Sequence, residues 1–135
     1  MMGKTLRGLM NLRTLMHDSP TSILPHVPIS AALPLMKAHG LYHLPVVDGR
    51  SRLLGSLCIY DLLRCATGME GPVWRSALVQ DLCVPEPAVA SLRDRPEDVA
   101  ALMVQHRRSS IAVVDNGRLV GIVTYRSVME CVLRG

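Results

Sequence analysis

Phenylalanine is absent from this chain, and only three Tyr and one Trp stand among its 135 residues. Aromatics that scarce leave no platform on which successive bases of a single-stranded nucleic acid could stack. They also oblige the core to be built from Leu, Val, Ile, Ala and the eight Met. Long apolar runs are missing as well: no window reaches the ~18 apolar residues of a membrane span. The opening MMGKTLRGLMNLRTLM is amphipathic but lacks the continuous apolar region of a secretory signal. None of the four cysteines (Cys58, Cys65, Cys83, Cys131) forms a CxxC or a framework spacing. That usage fits reduced thiols serving as small core residues in a cytoplasmic protein. Catalytic patterns are missing too, since there is no nucleophile with a base at motif spacing, no paired carboxylates and no Walker-type loop. A non-enzyme is expected.

What is present is ample apolar material. Hydrophobic residues make up 49% and charged residues 19%, which excludes a disordered chain. Basic residues outnumber acidic ones 15 to 11, and 13 of the 15 are Arg. They are scattered, with no basic block, so nucleic acid is not an expected partner. A scattered Arg surplus suits small phosphorylated ligands or an acidic partner; a solvated Arg-rich surface accounts for the same residues.

The chain also repeats itself. A shift of 67 places Leu15 on Leu82, Pro20 on Pro87, Met36 on Met103, His39 on His106, and Val46-Val47-Asp48 on Val113-Val114-Asp115. A shift of 66 then places Arg52-Leu53 on Arg118-Leu119 and Gly55 on Gly121. The lost residue falls in a turn, where length differences are tolerated. The expected organisation is an N-terminal helical extension (1–11), a first repeat (12–66), a linker (67–78) and a second repeat (79–134).

Each copy reads β-α-β-β-α. A short extended segment (21–24; 88–90) leads into a helix, which in the second copy has Pro96-Glu97-Asp98 in its first turn. An apolar strand follows (44–47; 111–114), then a Gly-containing turn, a second strand (53–57; 119–123) and a closing helix (60–67; 125–133). Pro34 conflicts with a straight first helix, which must start late, near Leu33, or kink. His39 and His106 fall at matching helix ends, where cations are favoured. A metal site from His39 and His43 fails, because Gly40 breaks the helix between them and no acid or thiol joins at ligand spacing.

A strand ending in Gly, then a hydroxyl residue, then Asp at a helix start concentrates three features. Gly lets a ligand approach the backbone, the helix N-terminus offers N–H groups to phosphate, and Asp accepts from both hydroxyls of a ribose. Copy one has Asp61 but Cys58 in the hydroxyl position; copy two has Thr124 but Ser127 in the Asp position. Asp61 is equally an acid stabilised in a first turn, and Thr124 and Ser127 are equally helix caps. Arg126 could reach a phosphate or lie on the surface.

The motifs Leu44-Pro-Val-Val-Asp48, Gly55-Ser-Leu-Cys-Ile-Tyr-Asp-Leu62, Pro85-Glu-Pro-Ala-Val89, Ile111-Ala-Val-Val-Asp115 and Gly121-Ile-Val-Thr-Tyr-Arg-Ser-Val128 together resemble the CBS domain pair, or Bateman module. The resemblance covers nearly everything after residue 12. It implies an α+β fold of tandem βαββα half-domains with pseudo-twofold symmetry and two clefts between the repeats. It implies a non-enzymatic sensor of an adenosine-containing ligand, an adenine nucleotide (AMP, ADP, ATP) or S-adenosylmethionine, with no required cofactor and no metal. The ligand-binding candidates are Thr21, Ser22, Tyr42, His43, Cys58, Tyr60 and Asp61 from copy one, and Ala88, Thr124, Arg126 and Ser127 from copy two. His43 and Tyr42 hold the position that faces phosphate in nucleotide-binding relatives; His43 also fits a plain strand edge. The expected assembly is a homodimer, because the closing helix at Tyr125 to Leu133 is apolar around more of its circumference than one sheet requires. The alternatives are a dimerisation module with vestigial clefts, or a separate regulatory subunit of an enzyme or transporter.

Overall fold

The computed structural model describes residues 11–68 and 76–134. The expected N-terminal extension lies almost wholly outside the described residues, as does most of the expected linker. The first repeat contains α1 (Leu12–Leu15), a 3-10 turn (Ile29–Ala31), α2 (Ala32–His39), β1 (His43–Val47), β2 (Leu53–Cys58) and α3 (Ile59–Gly68). The second contains α4 (Val79–Leu82), β3 (Val89–Ser91), α5 (Pro96–His106), β4 (Ser110–Asp115), β5 (Arg118–Thr124) and α6 (Tyr125–Arg134).

Pro34 is resolved by a late start. It is the third residue of α2, in the first turn, where an N–H has no partner within the helix to lose. The helix stops at Gly40, whose φ of 61° is left-handed; the Gly40 and Leu41 N–H groups donate to the carbonyls of Lys37 (3.4 Å) and Met36 (2.9 Å). The second copy uses different chemistry for the same element. Pro96 opens α5, Asp98 Oδ2 accepts the Arg95 N–H at 2.9 Å, and Arg107 takes the left-handed end position at φ 52°.

Both hairpins are antiparallel with a bulge near the turn, between Val46 and Val47 in one and between Val113 and Val114 in the other. The first turn is longer by one residue and is closed by a carboxylate. Asp48 accepts the N–H groups of Arg50 (2.8 Å) and Arg52 (3.0 Å) and the Arg52 Nε–H (2.9 Å), with Ser51 at φ 63°. These donors, the Arg52 N–H foremost, hold the Asp48 carboxyl below its usual range. The second turn places Asn116 and Gly117 at φ 51° and 78°, as a two-residue hairpin turn demands.

Long-range pairing divides the chain differently from the repeats. Of the described residues, 21–86 form one compact unit, and 11–20 with 87–134 form the other. In the first unit Ile23 runs parallel to β1, its N–H donating to the Pro45 carbonyl at 3.0 Å, while Val84 and Ser56 exchange N–H···O bonds of 2.9 and 3.1 Å on the far side of β2. In the second, β3 runs parallel to β4, and His17 exchanges bonds of 2.8 and 3.1 Å with Ile122 on the far side of β5. Val84 and His17 are equivalent positions, 67 residues apart. The leading segment of each repeat therefore packs in the unit built around the other repeat's hairpin.

That exchange corrects the reading of the two strand glycines. A Cβ on Gly55 would strike the Val84 carbonyl oxygen and stand 2.6 Å from Cys83 Sγ; one on Gly121 would stand 2.5 Å from Met16 Sδ and 3.1 Å from the His17 carbonyl oxygen. Glycine is needed because the chain itself comes close, through the Val84 backbone at Gly55 and through the Met16 side chain and then the His17 carbonyl at Gly121, not to admit a ligand.

The cores are aliphatic. Ile23, Ile29, Met36, Leu44, Val46, Leu57, Leu62 and Val79 pack in one unit; Leu12, Leu15, Val99, Ile111, Val113, Val123 and Val128 pack in the other. Of the four cysteines only Cys131 is a core residue, whereas Cys58, Cys65 and Cys83 are half-buried. Burial, and then the charge of Glu86, push the Cys83 thiol up, so it stays protonated.

Candidate functional site

In the first unit, β2 passes into α3 without a spacer. Cys58 ends the strand, Ile59 opens the helix, and the Ile59 N–H donates to the Tyr42 carbonyl at 2.8 Å. His43 lies directly across the hairpin from Cys58. Tyr42, His43, Cys58, Tyr60 and Asp61 are thus gathered at one end of the hairpin by backbone pairing alone. Thr21 and Ser22 precede Ile23, whose parallel pairing with Val46 directs them toward the His43 end of β1. Tyr42 and Tyr60 are exposed, while Thr21, Ser22, His43, Cys58 and Asp61 are half-buried.

Asp61, in the first turn of α3, accepts on Oδ1 a hydrogen bond from Nη2 of Arg64, one turn later. Sequence reasoning missed Arg64 as part of this site, although the i,i+3 spacing of opposite charges on a helix is a signal that could have found it. The Arg64 side chain is 76% exposed and that of Asp61 31%. A guanidinium so open to water can leave the carboxylate at small cost. The junction therefore offers a partly shielded acceptor and an imidazole beside a helix start whose first N–H is taken by the Tyr42 carbonyl.

The second unit repeats the backbone with different groups. Thr124 ends β5 opposite Ser110, and the Tyr125 N–H donates to the Ser109 carbonyl at 2.9 Å. Ser127 is half-buried in the first turn of α6, and that turn holds no acid. Arg126 is exposed, and its Nε–H lies 3.5 Å from the Tyr125 hydroxyl, a contact that raises its already high pKa. Ala88 is fully buried in the aliphatic core, so it offers a ligand no side chain. Among the described residues no cluster of three or more His, Cys, Asp or Glu could hold a metal, and no helix is long and apolar enough to cross a membrane.

Two hairpin-to-helix units with the same register are what a duplicated CBS motif requires, and the CBS domain model matches residues 12–68 and again 79–134. The chain belongs to the CBS domain family. Its α+β fold is that of a CBS pair: the crystal structure of CBSX2 in complex with AMP superposes with a TM-score of 0.77 at 27% identity, covering 92% of this chain and 96% of that one. Among curated proteins, the chloroplastic CBS domain-containing protein CBSX1 of Arabidopsis thaliana is 28% identical over 136 residues, covering 82% of this chain and 58% of that protein. An inosine-5'-monophosphate dehydrogenase of Korarchaeum cryptofilum is 28% identical over 108 residues, covering 79% of this chain and 21% of that protein. The CBS pair thus spans between a fifth and three fifths of the length of these two relatives.

Proposed function

We propose that this CBS pair is a non-enzymatic regulatory module that binds an adenosine-type ligand, an adenine nucleotide or S-adenosylmethionine, at the first junction. The observation that carries the reading is the Asp61 carboxylate in the first turn of α3, at the end of the hairpin where His43 faces Cys58. A carboxylate accepts hydrogen bonds from both hydroxyls of a ribose. The N–H groups at the start of α3 and the His43 imidazole then serve the phosphate. The Cys58 thiol is too weak a donor to add much, so the phosphate depends on those groups. Ribose takes over from Arg64 on Asp61, and the released guanidinium is free to meet a phosphate. The likeness to the AMP complex of CBSX2 supports this ligand class. Binding changes how a separate partner is engaged, and no bond is made or broken.

A second chain also belongs to this reading. On α6, Met129, Val132 and Leu133 are exposed to 54%, 54% and 82%. Such an apolar face on one helix suits burial in a homodimer. Sedimentation should show a dimer at high micromolar concentration, and a monomer there overturns this part. For the ligand, calorimetric titration of the whole chain with AMP, ADP, ATP and S-adenosylmethionine should give saturable binding of at least one. Heats indistinguishable from dilution for all four would leave the vestigial-cleft reading instead.

A further inference from the structure

A hollow of about 320 Å³ opens on the first unit beside the junction, lined by Leu33, Met36, Lys37, Leu41, Tyr42 and Ile59, with Gly40 at its rim. That size is at the lower end of small-molecule sites. Met36 and Leu41 form a buried floor, and Leu33 and Ile59 are half-buried walls. The backbone contributes little polarity. The carbonyls of Met36 and Lys37, which would otherwise point out of the end of α2, accept the N–H groups of Leu41 and Gly40. Tyr42 adds a phenol, and Lys37 is the one charged side chain in the lining. No acid occurs in α2, and Asp61, on the helix that supplies Ile59, is already bonded to Arg64.

An apolar wall with one cation at its edge selects by chemistry. We propose that this hollow binds a small amphipathic monocarboxylate, its hydrocarbon part against Leu33, Met36 and Ile59 and its carboxylate on the Lys37 ammonium. The hollow shares Tyr42 with the nucleotide reading but uses neither Asp61 nor His43. It adjoins that junction through Tyr42, whose carbonyl holds the first N–H of α3.

The test is calorimetric titration of the whole chain with octanoate, octanol and octylamine below their aggregation concentrations. Octanoate should bind saturably and at least tenfold more tightly than the other two. Lys37 is exposed at the last turn of α2, so Lys37→Glu should leave the circular dichroism spectrum unchanged. It should weaken octanoate at least tenfold and leave octanol unchanged, and saturating AMP should not displace octanoate. Equal affinity for all three probes, octanoate binding indifferent to Lys37→Glu, displacement by AMP, or no saturable octanoate binding would each overturn the proposal. Failure of AMP to bind bears on the nucleotide reading alone.

Discussion

At the first junction the Ile59 N–H reaches the Tyr42 carbonyl at 2.8 Å, and at the second the Tyr125 N–H reaches the Ser109 carbonyl at 2.9 Å. His43 opposes Cys58 in one hairpin and Ser110 opposes Thr124 in the other. Beyond this shared backbone the two diverge. One first turn carries a carboxylate, held by a neighbouring guanidinium; the other carries Ser127 and an arginine beside the Tyr125 phenol. Both repeats share this backbone geometry, whereas only the first carries a carboxylate, Asp61, in the first turn of its closing helix. The same contrast runs through the turns, where a carboxylate cage closes the first hairpin and a left-handed Asn-Gly pair closes the second.

The largest effect that can break this comparison comes from the two strand glycines. Gly55→Ala drives a methyl into the Val84 backbone carbonyl, which cannot give way without breaking the Ser56–Val84 pairing. Gly121→Ala meets first the thioether of Met16, which can rotate. Denaturant unfolding should show losses of about 3 kcal/mol for Gly55→Ala and about 1 kcal/mol for Gly121→Ala. Equal losses would mean that the two leading segments are held alike. The smallest effect is at the first hairpin turn. The folded-state pKa of Asp48 is depressed, so its contribution is complete above the unfolded value of about 3.9 and is lost as pH falls through the folded one. Asp48→Asn should therefore be less stable than wild type at pH 6, with the gap closing as pH drops below 4. A gap independent of pH would remove the carboxylate's charge from the account.

Much of this was legible in sequence because it is local. Short apolar runs on either side of Asp48-Gly49 and Asn116-Gly117 mark both hairpins, and Pro96-Glu97-Asp98 marks a helix start. What failed was non-local. Whether Gly55 faces a ligand or a carbonyl depends on Val84, a residue 29 positions away, whose pairing leaves no trace in local periodicity. Ala88 was a candidate through the resemblance alone; its burial depends on Leu12 and Val99 filling the same core. Cys58 and Cys65 looked apolar enough for the core, yet Cys58 stands at the open end of a hairpin and both are half-buried. Arg64 was legible and overlooked, three residues from the carboxylate it holds.

The central claim is that the first junction alone clamps the ribose, and titration of AMP into wild type, Asp61→Ala and Ser127→Ala tests it most directly. Loss of a charge-assisted acceptor costs roughly 1.5–3 kcal/mol, so Asp61→Ala should bind about tenfold to a hundredfold more weakly. Ser127→Ala should match wild type. Equal affinity in wild type and Asp61→Ala, or binding lost only in Ser127→Ala, would contradict the account.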